Sequence, residues 1–134
     1  MINTRKLNEI AIQALKNSNK VIESLGIEAS KPLKRPNQFG EVKKKGDVLA
    51  EKAVIDVFRK AKVPIRIYSE EHGIVNIGAN PRYLGVLDGL DGPPSSKNRY
   101  GTMFGIFSNT NPKYRDYLFS GIMEHNPRKL FFVF

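Results

Sequence analysis

The sequence has 134 residues and no cysteine. That excludes disulfide staples and thiolate metal sites. Histidine is nearly absent as well, and His72 and His125 stand isolated, reading as surface or turn residues. No run of about 18 apolar residues occurs, and the N-terminus lacks the apolar core of a signal peptide. The expected location is therefore cytoplasmic, with no membrane partner. Internal repeats and a glycine-rich phosphate loop are also missing. Acidic residues are the minority, 13 against 22 basic ones, for a net charge of +9. Such a balance favours anionic partners: phosphorylated metabolites, nucleotides or nucleic acid.

What remains fits one globular domain over 1–134, with 40% hydrophobic and 26% charged residues. Leu7, Ile10, Ala11, Ala14, Leu15, Ser18, Val21, Ile22 and Leu25 follow helical spacing, with Asn3 or Thr4 as cap and Gly26 past the end. From 27 to 46 lysine, proline, glycine and asparagine take over. Pro32 and Pro36 interrupt regular structure, and Lys31, Lys34, Arg35, Lys43, Lys44 and Lys45 make the segment basic. It reads as a flexible loop, either merely solvated or a flap that screens a site and attracts phosphate. Asp47 then opens a second helix, with Ala50, Ala53, Val54, Val57, Phe58 and Ala61 on one face, closed by Val63-Pro64. Asp47 itself reads as an N-cap.

The chemistry gathers at two strand ends. Tyr83 to Leu87 is an apolar run of strand length that stops at Asp88-Gly89-Leu90-Asp91-Gly92. Two carboxylates three positions apart repel unless a cation or ordered donors neutralise them. Asp88, Asp91 and the Leu90 carbonyl can converge on a hard ion such as Mg2+; otherwise the stretch is a solvated Asp-Gly turn. Ile65 to Ser69 is another strand, and it ends in Glu70-Glu71. On its own that pair reads as surface charge. Two parallel strands each ending in a carboxylate pair would gather four acids at one sheet edge.

Asp47-Val48-Leu49, Ser69-Glu70-Glu71, Asp88-x-Leu90-Asp91-Gly92 and Gly101 to Phe107 have the order and approximate spacing of the fructose-1,6-bisphosphatases. From about Asn37 onward the chain resembles that family and the wider superfamily that includes the inositol monophosphatases. The resemblance implies a Mg2+-dependent sugar or inositol phosphate phosphomonoesterase using two or three ions, with Mn2+ as a substitute. It implies that Glu70 ligates metal and takes a proton from the attacking water, with Glu71, Asp88, the Leu90 carbonyl and Asp91 as further ligands. Gly92, Ser95 and Ser96 then hold phosphate, and Asp47 is a catalytic acid. Two departures stand out. The family places a second acid about one turn after Asp47, where Lys52 falls here with Glu51 beside it. Directly after the glycine it places a hydroxyl residue, where this chain has Pro93.

The rest reads as strands at 102–108, 117–123 and 130–134. The expected fold is α+β, two N-terminal helices on a mostly antiparallel sheet, like the N-terminal half of an αβαβα sandwich. Because members of that family continue for about as long again, this chain is expected to be a fragment, a truncated form or a degenerate copy. It would then lack a C-terminal half, or act as a homo-oligomer. Two other readings are a catalytically impaired phosphate-binding relative or regulatory subunit, and a basic nucleic-acid-binding module. The last is disfavoured because Phe39 is the sole aromatic in the basic segment, whereas single-strand binders interleave several.

Overall fold

The computed structural model describes residues 2–37, 39–89, 100–125 and 128–134. Helix α1 (Thr4–Leu25) begins where Asn3 Oδ1 accepts the Lys6 N–H at 2.8 Å, and it stops at Gly26, whose φ is 56°. Its inward face is Leu7, Ile10, Ala11, Ala14, Leu15, Ser18 and Ile22, all buried, while Val21 and Leu25 are only half-buried.

The basic segment is more regular than its composition predicts. After a 3-10 turn (Gly26–Ser30) it forms a two-stranded antiparallel hairpin, β1 (Pro32–Pro36) with β2 (Val42–Lys44). Pro32 and Pro36 do not interrupt the strand; they sit at its two ends, where a missing N–H is tolerated in a strand with one free edge.

Helix α2 (Lys45–Lys60) starts before Asp47, with Lys44 in the capping position. Asp47 is thus a first-turn residue and not the N-cap, placed where an acid opposes the helix dipole. The helix closes at Ala61, earlier than Val63-Pro64, and Lys62 turns the chain at φ 55°. Its buried face is Ala50, Glu51, Val54, Ile55 and Phe58, a rotation that turns Ala53 and Val57 partly outward.

Six strands follow: β3 (Ile65–Ser69), β4 (Gly73–Ile77), β5 (Tyr83–Gly89), β6 (Gly101–Phe107), β7 (Tyr117–His125) and β8 (Arg128–Val133). They form one sheet in the order β4-β3-β5-β6-β7-β8. β4 has no counterpart in the sequence reading. Every pairing is antiparallel except β3 with β5, which run parallel from Ile65↔Tyr83 to Ser69↔Leu87. Both helices pack on one face, closing the core around Phe58, Phe104, Phe119, Leu7, Leu15, Ile65 and Ile67. The approach of α1 depends on Gly121, because a Cβ there would lie 2.6 Å from Leu15 Cδ1. The opposite face carries Tyr68, Ile74, Val86, Phe131 and Val133, all exposed. No helix among the described residues is long and apolar enough to cross a membrane.

Candidate metal centre and cleft

The parallel β3–β5 pair builds the site. Its register sets Ser69 beside Leu87, so Glu70 and Asp88, the next residues along, emerge at the same sheet edge. Glu70 N–H donates to the Leu87 carbonyl at 3.2 Å, which holds the turn after β3 against β5. A proton held between the Glu70 and Asp88 carboxyls is the first cause that pushes Glu70 up to about 8; burial and the charges of Asp88 and Glu71 add to it.

A third acid comes from α2. Carboxylate oxygens of Glu51, Glu70 and Glu71 lie within 4.8 Å of one another. Glu51 is 1% exposed; its Oε1 accepts the Ser69 hydroxyl at 2.8 Å and the Glu71 N–H at 3.4 Å. Burial drives its carboxyl up to about 9 even against those two donors. Burial likewise raises Glu71, with the Asn37 amide opposing and the negative charge of Asp47 adding.

Glu51 was not among the site residues expected from sequence. The rotation of α2 carries Glu51, one turn after Asp47, inward, while Lys52 points out to Asp56 Oδ2 at 2.7 Å. The departure at Lys52 therefore leaves no gap in the acid cluster.

Of four buried side-chain oxygens or nitrogens without a hydrogen-bond partner among the described residues, three are Glu51 Oε2, Glu71 Oε2 and Asp88 Oδ1. The fourth, Asn8 Oδ1, lies on α1. Burying a carboxylate oxygen without a partner is costly, whereas a hard divalent ion takes several such oxygens. The residues present thus fit a cation of the Mg2+ type.

Neighbouring segments hold this cluster in place. His72 N–H donates to Ser69 Oγ at 3.0 Å, and its ring Nε2 meets the Val48 carbonyl at 2.8 Å, tying the turn after β3 to α2. Lys43 Nζ donates to the Glu71 carbonyl at 2.9 Å, and Asn37 Nδ2 lies 3.5 Å from Glu71 Oε1. The hairpin is therefore docked on the acids. Neither histidine is a bare surface residue. His125 is half-buried between Asn19 Oδ1 at 3.0 Å and Thr102 Oγ1 at 2.9 Å.

Beside the acids lies a cleft of about 340 Å3, lined by Phe39, Glu41, Tyr68, Ser69, Glu70, Val86, Leu87 and Asp88. A groove of about 420 Å3 between α1 and α2 holds Lys20, Lys60 and Asp56 but no converging acids. The structure thus gathers Glu70, Glu71 and Asp88 as expected, adds Glu51, and leaves Asp47 near enough to act on Glu71 by charge. Leu90, Asp91, Gly92, Ser95 and Ser96 lie outside the described residues.

No protein-family model matches the sequence, and no curated protein does either. Solved structures do match. The Leishmania major fructose-1,6-bisphosphatase in holo form superposes with a TM-score of 0.76 at 18% identity, over 97% of this chain and 47% of its own. An inositol monophosphatase-fructose 1,6-bisphosphatase gives 0.69 at 18%, over 96% and 49%. The extragenic suppressor protein suhB from Bartonella henselae gives 0.67 at 17%, over 95% and 48%. The chain spans about half the length of each of these structures.

Proposed function

We propose, from the premise that this chain carries the fold of the fructose-1,6-bisphosphatase and inositol monophosphatase structures, that it is the metal-binding half of a Mg2+-dependent sugar or inositol phosphate phosphomonoesterase of the cytoplasm. The observation that carries the reading is the convergence of Glu51, Glu70 and Glu71, with orphaned buried oxygens, at the carboxyl end of the parallel strand pair. When bound, Mg2+ would activate water and offset the charge that builds on the phosphoryl and leaving oxygens.

The chain's own residues supply the cage and the proton handling. Glu70, Glu71, Asp88, the Leu90 carbonyl and Asp91 are the ligands, and Mn2+ can replace Mg2+ at so oxygen-rich a set. Glu70 and Glu51 are the groups able to hold a proton near neutrality, because the shared bond with Asp88 raises one and burial raises the other. The Ser69 hydroxyl keeps Glu51 Oε1 occupied, so a proton on this side chain resides at Oε2. Asp47 contributes negative charge toward Glu71 from the first turn of α2. Gly92, Ser95 and Ser96 are assigned to the phosphate.

A second reading, a phosphate-binding relative or regulatory subunit without turnover, draws support from Pro93 in place of a hydroxyl residue. Nucleic-acid binding has less in its favour. Lys31 and Lys45 pair with Glu28, and Lys43 is spent on the Glu71 carbonyl.

The test is a Mg2+ titration followed by thermal unfolding and by calorimetry with inorganic phosphate. Millimolar Mg2+ should raise the melting midpoint, as ligand linkage requires. Asp88→Asn should remove most of that rise, and phosphate should bind only when the ion is present. A wild-type midpoint indifferent to saturating Mg2+ and Mn2+ would end the metal reading. Phosphate release from fructose 1,6-bisphosphate or inositol 1-phosphate, lost in Glu70→Gln, would decide between the enzyme and its silent relative.

A further inference from the structure

We infer that Thr102, His125, Asn19 and Glu23 form an oriented hydrogen-bond chain that clamps the C-terminal half of α1 to the sheet end beside Asp88, and that a proton taken from solvent at His125 Nε2 opens it. The link to Asp88 rests on the phosphomonoesterase reading. The clamp itself is a property of the fold and is tested without metal.

The direction of every bond follows from one end of the chain. Asn19 Nδ2 lies 2.9 Å from Glu23 Oε1, and a carboxylate only accepts. The Asn19 amide therefore turns its oxygen to the ring, 3.0 Å from His125 Nδ1. An amide oxygen also only accepts, so the proton of neutral His125 sits on Nδ1. Nε2 is left as an acceptor, and the Thr102 hydroxyl, 2.9 Å away, donates to it. Donation thus runs from Thr102, which is buried, to Glu23, which is exposed. His72 has the opposite arrangement, because its Nε2 faces the Val48 carbonyl and carries the proton there.

A second proton breaks this order. Imidazolium donates at both nitrogens, so a new Nε2–H would meet an O–H that already points at it. Among the described residues the Thr102 hydroxyl has no other hydrogen-bond partner, and turning its hydrogen away would strand it in a site 2% exposed. The charged and titratable groups around the ring come from three elements. Glu23 on α1 favours the cation, while Arg128, the cross-strand partner on β8, opposes it. Tyr100, just before β6, brings an uncharged ring 5.4 Å away, and Glu124 on the same strand points to the other face. Burial outweighs Glu23 and keeps the ring neutral.

The apolar attachment that the chain reinforces is small. The end of α1 meets a cluster of Ile22, Ala29 and Ala50, with Leu25 and Tyr100 at its margin, whereas Leu7 to Leu15 enter the main core. On the sheet side Thr102 pairs with Gly89, and the next pair is Asp88 with Met103. The His125 N–H donates to the Tyr100 carbonyl at 2.9 Å, which fixes the start of β6 as well. Opening the clamp therefore loosens the strand pair that positions Asp88.

The experiment begins with 15N-histidine-labelled protein free of divalent cations. Long-range 1H–15N spectra at pH 7.5 should show His125 protonated at Nδ1 and His72 at Nε2. Amide exchange, expressed as protection factors, should rise in residues 18–25 of α1 and at Thr102 by roughly 20-fold from pH 7 to pH 5, as a ring held at about 4 against 6.5 requires. Residues 7–15 should change less. Thr102→Val keeps the shape and removes the donor, so the same amides should exchange roughly 10-fold faster at pH 7.5. It should also weaken Mg2+ in titration calorimetry by roughly 10-fold, the lower end for a residue that supports a ligand from outside the cage. Asn19→Ala breaks the chain on α1, leaves the strands untouched and should repeat both effects. An Nε2–H on His125 at pH 7.5, or protection in residues 18–25 that ignores both pH and Thr102→Val, would overturn the clamp. Unchanged Mg2+ affinity in both variants would overturn its link to Asp88. A wild type that binds no Mg2+ would sink the phosphomonoesterase reading and that link together, while the spectra and the exchange decide the clamp.

Discussion

Replacing Glu51 by glutamine turns the most deeply buried acid of the cluster into a measurable quantity. The carboxyl of Glu51 is pushed up to about 9 by burial, against an ordinary value of 4.5. Between those limits the folded state holds a proton that the unfolded chain has released. The stabilisation from this raised value is complete below pH 4.5 and is lost progressively as pH rises toward 9. Each pH unit in that window costs about 1.4 kcal/mol, so at pH 7 the loss is roughly 3 kcal/mol at most. Glu51→Gln mimics the protonated acid. The amide oxygen keeps the Ser69 hydroxyl and the Glu71 N–H as donors, and nothing in the side chain ionises. The raised Glu70 and Glu71 are present in both proteins, so the difference between wild type and variant reports Glu51 together with its coupling to those two acids. Without divalent cations the two should be similarly stable near pH 4.5, with the variant ahead by several degrees, up to about 10 °C, at pH 7. Circular dichroism is the suitable probe, since the chain has no tryptophan. Mg2+ should reverse the ranking at pH 7 by stabilising the wild type, whose Glu51 adds negative charge beside the proposed ligands, more than the variant. Unfolding midpoints that run parallel from pH 5 to 9 would refute the argument, because Glu51 would then titrate no differently in the folded and unfolded chain.

Acid should weaken the domain through a second group. Burial holds His125 down to about 4 from 6.5, so stability is intact above pH 6.5 and falls as pH drops toward 4 by up to about 3 kcal/mol. His125→Gln should flatten that part of the urea-denaturation profile. Gly46→Ala places a Cβ 2.8 Å from both the Cβ and the carbonyl oxygen of Ala29, so a loss of about 1–3 kcal/mol is expected in denaturant titration. Limited trypsin digestion should cut between Lys31 and Lys45 before it cuts after Lys62, because β1 is exposed along its whole length and the hairpin pairs with no other strand. Mg2+ should slow that cleavage, since Lys43 and Asn37 dock the hairpin on Glu71.

Much of the fold is legible in local pattern. The stripe from Leu7 to Ile22 has helical period, and its buried face is the expected one but for the half-buried Val21 and the added Asn8 and Asn19. The strands that end in Ser69-Glu70-Glu71 and Leu87-Asp88 announce themselves by an apolar run broken by acids, and the structure pairs them in parallel with their ends level. Such features depend on neighbours a few residues apart, which is why residue order alone conveys them. β4 escaped notice because Gly73–Ile77 is half exposed and carries no strong alternation. The hairpin escaped because its strands are stabilised by docking on the acid cluster and not by an apolar face of their own.

The composition of the site belongs to tertiary structure. Glu51 and Lys52 are adjacent in the chain, and only the rotation of α2 against the sheet, set by Val54, Ile55 and Phe58 entering the core, decides which faces the acid cluster. Asn37 acquires its role from Glu71, 34 residues away, and His125 from Asn19, at a separation of 106. Those partners meet because two helices close over one face of a sheet. The shifts of Glu51 upward and of His125 downward have the same origin, since burial that shifts a proton equilibrium is created only when distant segments exclude water together.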